Sequence, residues 1–518
     1  MSLVSLLAAT VMMSVLPAEP TPADAPDGPP TAQVGQGVLV GARADGVESF
    51  KGVAYAAPPV GPLRWRPPTP APAWTGPRQA TQVGAICIQP PANGDNGVGP
   101  LPMSEDCLTL NIWAPQERAG LLPVMVWIHG GGYGNGSGTA ALYDGTNLAG
   151  RGVVLVTINY RLGRLGFFDH PALAAERPAG EAAGNYGVMD MIAALEWVRD
   201  HIAAFGGDPE QVTVFGESAG GVAVSQLMVS PRARGLFHRA AIQSGLGRQE
   251  GSLPGDTDPL SPRSARARGR AWAQAAGVAP TAEALRAVPP EALLGPAPDF
   301  FGGDLILTDG VIVPMDVEAA FARGLQAPVP LLIGTNSAEF WWMKPSDMSA
   351  YGALDDGLTD DLRDALIAAY DGPAGYDAHL VSDLVFNEPA RRLARLHAAT
   401  GQPTFLYRFD VVSAAMPEPH SGATHASERQ YVFDNLGASP WATDEMDRRA
   451  ATLMADYWTA FGRTGDPNGG ERLMWPDLRA RVDELLEFGN DGPRVLPVPN
   501  AQRLDLIERL YGGRVRPD

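Results

Sequence analysis

The stretch VFGESAGG, from Val214 to Gly221, constrains the fold more than any other part of this chain. It sets Ser218 in a G-x-S-x-G pattern, directly after the apolar run Val212–Phe215 and directly before AGGVAVSQLMV, which can form a helix. A serine held in a tight turn between a strand and a helix is pushed outward, with its hydroxyl exposed at the end of a sheet. The glycines at 216 and 220 let the backbone of the turn pass close to its neighbours. The start of a helix behind Ser218 also favours negative charge developing there. The pattern alone is weak in a chain with 60 glycines among 518 residues; its weight comes from the strand before it and the helix after it. Ser218 is the candidate nucleophile.

The same alternation continues on either side. Val124–Ile128 and Val153–Ile158 read as buried strands. Between the second of these and Ser218, apolar residues at Met189, Ile192, Ala193, Leu195 and Trp197 read as one packed helix, ended by Gly206 and Gly207. Strand, helix, strand, helix is the pattern of a mostly parallel sheet covered on both faces. Further strands are expected at RAAIQSG, PVPLLIGTN and PTFLYRFD, and a C-terminal helix at RAATLMADYWTAFGRTG. The Pro-rich helical stretches 255–300 and 345–400 read as insertions capping the sheet.

The formal charge, 39 − 58 = −19, argues against nucleic acid or an anionic membrane surface as the partner. The apolar run Leu3–Leu16 is too short to span a bilayer. Residues 1–18 read as a signal peptide with Ala18 as the small residue at the cleavage point, although no Lys or Arg precedes the run. Residues 19–33, rich in Pro, Ala and Asp, read as a solvated linker, and 34–518 as one α/β domain. This implies a secreted or periplasmic protein. The two cysteines, Cys87 and Cys107, could be buried thiols or a disulfide; the disulfide suits an exported protein better. Their spacing, with no His pair nearby, builds no metal site. No oligomeric state follows from the sequence.

A serine that attacks a carbonyl needs donors for the oxyanion. HGGG, His129–Gly132, follows the strand at 124–128, so the amides of Gly131 and Gly132 are the natural donors, with that of Ala219 as the third. An acid and a histidine should follow Ser218 in that order. Of the eight histidines, His129, His170, His201 and His238 come early. His379 and His397 fall on insertion helices, where a solvated or capping role is expected. That leaves His420 and His425 in PEPHSGATHASERQ. His425 stands nearer the anchored end of this loop, just before a strand expected to restart at Tyr431. Glu339, just past a strand end in LLIGTNSAEFWW, is the candidate acid; Asp304, Asp309 and Asp347 compete on order alone. Glu217 is expected to point away from Ser218 and to play a buried supporting role.

With these residues in place, the chain resembles the type-B carboxylesterases, the family that also contains the cholinesterases and the bacterial p-nitrobenzyl esterases. FKGVAYAAPPVGPLRW (50–65), SEDCLTLNIW (104–113), GNYGVMDMIAALEWV (184–198) and TGDPN (464–468) carry the likeness, which runs from about 34 to 510. The resemblance implies an α/β-hydrolase fold and hydrolysis of small-molecule carboxylic esters without a cofactor. It implies Glu339 as the acid of GTNSAE, His425 as the base of GATHASE, and the oxyanion donors named above. It places Ser244, in QSG, near the acid, and pairs Cys87 with Cys107. Two departures stand out. Met191 follows Asp190 where the family usually has Gln. Phe340, Trp341 and Trp342 follow Glu339 where the family usually has glycine next.

The expected activity is therefore ester hydrolysis through an acyl-enzyme on Ser218, His425 and Glu339. The alternatives are cleavage of an amide, carbamate or polyester on the same machinery, and, from another class, a non-catalytic adhesion or binding module. A histidine base predicts activity rising with pH on a limb at roughly pH 6 to 7.

Overall fold

Eleven strands form one mixed sheet: β1 (Ala42–Ala44), β2 (Val47–Ala54), β3 (Thr109–Pro115), β4 (Leu122–Ile128), β5 (Val154–Ile158), β6 (Gly207–Glu217), β7 (Arg239–Gln243), β8 (Leu331–Asn336), β9 (Thr404–Asp410), β10 (Glu484–Gly489) and β11 (Gly492–Pro497). The computed structural model describes residues 28–90, 101–182, 184–245, 247–248, 264–294, 306–346, 358–416 and 422–513. The spatial order is β11-β10-β9-β8-β7-β6-β4-β5-β3-β2-β1. From β5 to β10 all neighbours run parallel, and the strands at both edges run antiparallel. The strands at the centre are apolar because both faces are covered: Val124, Val126, Trp127, Ile128 and Val154–Val156 are fully buried.

The chain reverses its direction of travel across the sheet between β4 and β6. Ligands of open α/β sheets bind beyond the carboxyl ends of the strands at such a point. In register, Gly216 of β6 stands opposite Ile128 of β4, and Glu217 stands opposite Gln243 of β7. Ser218, Ser244 and HGGG therefore leave the sheet side by side.

The main helices are α1 (Tyr186–His201), α2 (Ala219–Val229), α3 (Ala265–Ala275), α4 (Asp360–Ala369), α5 (Pro373–Ser382), α6 (Glu388–Ala398), α7 (Glu445–Thr464) and α8 (Ala501–Gly512). Every residue of α2 is buried, as a helix behind the central strand must be. A capping box at Asp444 and Asp447 starts α7. Two large apolar clusters pack on the sheet. A third, smaller one joins Phe340, Leu366, Leu380 and Phe386 to Ile507 and Leu510. The inserted helices α4 and α5 thus share a core with α8.

Several expectations change. The signal-peptide segment 1–18 lies outside the described residues. The stretch read as linker is already structured at Thr31–Val34, a strand paired with Gly37–Val40. No strand restarts at Tyr431: Arg429–Val432 is a helical turn, packed on α7 through the Tyr431 hydroxyl, which donates to Asp447 at 2.6 Å. His397 is not solvated. It is fully buried, with Nε2 2.8 Å from the Val329 carbonyl, because the face of α6 that carries it packs against the sheet. Cys87 and Cys107 form a disulfide. Among the described residues no helix is long and apolar enough to cross a membrane.

Candidate active site

Ser218 sits at φ 55°, ψ −124°, a conformation an L-residue adopts only under constraint. The constraint is visible. Its N–H donates to the Gln243 carbonyl at 2.9 Å, and its carbonyl accepts from Val222 N–H at 2.8 Å. The elbow also packs against β4 too closely for any side chain: a Cβ on Gly220 would lie 2.0 Å from the Ile128 carbonyl oxygen.

His425 bridges the candidate nucleophile and the candidate acid. Its Nε2 is 2.9 Å from Ser218 Oγ, and its Nδ1 is 2.5 Å from Glu339 Oε2. Glu339 is fully buried, and its other oxygen accepts from Asn336 N–H at 2.8 Å and from Ser244 Oγ at 2.6 Å. The two loops are laced together, with Ala338 N–H donating to the Ala423 carbonyl at 2.8 Å. Asp309 is committed elsewhere; its carboxylate folds a turn by accepting from the N–H groups of Val311, Ile312 and Val313. Asp304, Asp347 and His420 lie outside the described residues.

Glu217 is buried as expected, but it does not point away. Its Oε1 lies 3.3 Å from His425 Nε2. Side chains alternate along a strand, so Glu217 shares a face of β6 with Phe215. The segment after His425 crosses that face, with Phe433 stacked 5.9 Å from Phe215.

A further carboxylate, Glu428, was not singled out from the sequence. It is fully buried, accepting from Asn336 Nδ2 at 2.7 Å and from Gln243 Nε2 at 3.2 Å. The signal available was its place three residues after His425, within the same loop. Burial, then Glu217 and Glu339, push its pKa up to about 7. Burial, with Glu339 nearby, likewise raises the Glu217 carboxyl. For His425, burial opposes the charge, but Glu339, Glu217 and Glu428 outweigh it and hold its pKa above the ordinary value.

Gly131 and Gly132 stand at φ 108° and 60°, in the region that favours glycine. A Cβ on Gly131 would meet the Asn135 carbonyl oxygen at 2.3 Å, whereas one on Gly132 would face open space. The amide of Ala219 is the first of α2 and has no partner within the helix. His129 serves the loop itself: its ring stacks on Tyr160 at 4.4 Å, and burial lowers its pKa to about 4, so it stays neutral.

The residues after Glu339 divide. Phe340 is buried, with its ring 4.8 Å from that of His425; Trp341 and Trp342 are 39% and 49% exposed. Met191 is buried in the core, and Asp190 receives both Nε and Nη2 of the buried Arg161 at 2.8 and 2.7 Å. This arrangement can generate a serine nucleophile, with glycine amides grouped beside it.

Known proteins resemble the chain over most of its length. The model of the carboxylesterase family matches residues 28–373 and 376–507. The chain is 38% identical over 485 residues to a fumonisin B1 esterase of Sphingopyxis macrogoltabida, covering 88% of this chain and 85% of that protein. It is 35% identical over 477 residues to a para-nitrobenzyl esterase of Bacillus subtilis (strain 168), covering 87% and 93%. A solved structure of a PNB esterase superposes with a TM-score of 0.81 at 32% identity, covering 92% of this chain and 99% of the other.

Proposed function

This chain belongs to the carboxylesterase family, with its α/β-hydrolase fold and its hydrolysis of carboxylic esters by a serine, and on that premise we propose that Ser218, His425 and Glu339 are the nucleophile, base and acid. One observation carries the assignment: a single imidazole reaches Ser218 Oγ through Nε2 and Glu339 through Nδ1.

In this reading His425 Nε2 takes the proton of Ser218 as Oγ attacks the ester carbonyl. Glu339 accepts from Nδ1–H, which fixes the tautomer and stabilises the imidazolium that forms. The amides of Gly131, Gly132 and Ala219 receive the oxyanion. As the intermediate collapses, the imidazolium gives its proton to the leaving alcohol. A water molecule, deprotonated by His425, then attacks the acyl-enzyme, and the acid leaves with Ser218 restored. Ser244 and Asn336 hold Glu339 from behind, and Glu217 supports the histidine from the side. No step calls on a metal or an organic cofactor.

Turnover of p-nitrophenyl acetate, abolished by Ser218→Ala, tests the assignment. A panel of esters varied in acyl and alcohol size, with an amide, a carbamate and a polyester beside them, defines the substrate. Fumonisin B1, for which one relative is named, belongs in that panel. The disulfide supports export of the protein, with residues 1–18 as the signal peptide. N-terminal sequencing of the mature protein tests that.

A further inference from the structure

Two phenylalanines pack together against one side of the His425 ring. Phe340 meets it at 4.8 Å between centroids with the planes at 69°, and Phe386 at 4.9 Å with the planes at 41°. The two rings also meet each other edge to face, at 4.6 Å and 89°. Both are 1% exposed.

Phe340 stands directly after Glu339. Phe386 lies in a single π turn, Asp383–Asn387, inserted between α5 and α6. Such turns persist where function compensates for their cost. Here the turn is tied to the acid strand: Thr335 Oγ1 donates to Asn387 Oδ1 at 2.6 Å, and Asn387 Nδ2 donates to Asp383 at 2.7 Å. Phe386 is thus referenced to β8, the strand that delivers Glu339.

We propose that Phe340 and Phe386 are positioning residues, an aromatic wall on one side of the His425 imidazole that restricts its orientation and stabilises its charged form during acyl transfer. The proposal rests on His425 being the base. An imidazole that must satisfy Glu339 and Ser218 at once has only one useful orientation about its Cβ–Cγ bond, and two rings packed against one side of it block rotation toward that side. Aromatic side chains also attract a cation through their quadrupoles, most strongly where water is excluded. The charged and titratable groups facing the ring are Glu339 from the loop after β8, Glu217 from the end of β6, and Glu428 from its own segment, while Arg429 interacts with Tyr143, Glu217 and Glu428. These set the electrostatic background, and the aromatic pair acts on top of it.

Leucine at either position keeps apolar bulk and water exclusion while removing the aromatic ring. Phe340→Leu and Phe386→Leu are each expected to lower kcat about fivefold to tenfold and to move the acidic limb of the kcat/KM profile to lower pH, with KM little changed. Phe340→Tyr, which keeps a ring, is expected to retain the wild-type limb. Unfolding curves identify any variant that fails to fold, and the other variants then decide. Folded leucine variants with kcat within twofold of wild type and an unmoved limb would overturn the proposal. An acidic limb displaced equally by Phe340→Tyr and Phe340→Leu would overturn it too, since it would reduce the effect to packing. His425→Ala is the separate control: if that variant keeps turnover, it is the base assignment that fails.

Discussion

The side-chain amide of Asn336 donates to the carbonyl of Thr424 at 2.7 Å, so the residue that ends β8 holds the residue just before His425. The same nitrogen lies 2.7 Å from Glu428, and the backbone N–H of Asn336 donates to Glu339. One buried residue therefore sets the acid loop against the histidine loop. Asn336→Ala removes this tie and strands a buried carbonyl and a buried carboxyl. We expect kcat to fall about tenfold to a hundredfold with KM little changed, and stability to fall by about 1–3 kcal/mol. Steady-state kinetics and urea unfolding measure both. Unchanged kcat would mean that the backbone bond from Ala338 to Ala423 holds the loops by itself.

Ser218→Ala and His425→Ala should each lower kcat at least about a thousandfold, while His420→Ala changes it less than about tenfold. Thermal unfolding of Ser218→Ala should stay near wild type, because the elbow is held by backbone bonds and glycine packing rather than by the hydroxyl. The reverse pattern, with His420 indispensable and His425 dispensable, would contradict the observed 2.9 Å contact to Ser218.

The difference between what the sequence disclosed and what it hid follows chain locality. Ser218 and HGGG were legible because each follows an apolar strand directly, whereas Glu339 in GTNSAE stood out from Asp304, Asp309 and Asp347 only through the resemblance to the family. The parallel strands were legible because burial on both faces writes an unbroken apolar run. Hidden features depend on where distant segments cross. QYVF is rich in strand formers, yet it turns helically because Tyr431 and Phe433 bury better against α7 and β6 that way. The direction of Glu217 depended on which face of β6 the histidine loop covers. Glu428 and Phe386 belong to the site only because Asn336 and a π turn bring them there. The edge strands β1–β3, the β10–β11 hairpin and α8 carry weaker periodicity than the central strands and went unread.

The disulfide closes the loop between Cys87 and Cys107, 20 residues apart in sequence. In the chain-entropy account a loop of this length contributes about 3 kcal/mol. Both residues sit in the large core cluster, so the double variant Cys87→Ala/Cys107→Ala also removes buried sulfur. Its unfolding midpoint in urea should fall, while kcat stays within about threefold, because neither sulfur belongs to the triad. Titration of denatured, unreduced protein should find no free thiols.

The pH dependence has a definite sign. Only neutral imidazole can accept the Ser218 proton, so activity is lost as pH falls through the pKa of His425. Burial alone would lower that pKa, but Glu339, Glu217 and Glu428 raise it above the ordinary value of 6.5. The acidic limb of kcat/KM should therefore lie above pH 6.5, at the upper side of the range expected for an unperturbed histidine. Glu217 stands 3.3 Å from Nε2, so Glu217→Gln removes a charge that favours the imidazolium and should move the limb to lower pH. Glu428 adds a second feature. With its pKa pushed up to about 7, it becomes neutral as pH falls below that value and then ceases to favour the imidazolium. Glu428→Gln, which removes this carboxylate at every pH, should accordingly move the limb to lower pH. A wild-type limb below pH 6, or one that Glu217→Gln leaves in place, would show that burial and not the carboxylates governs this histidine.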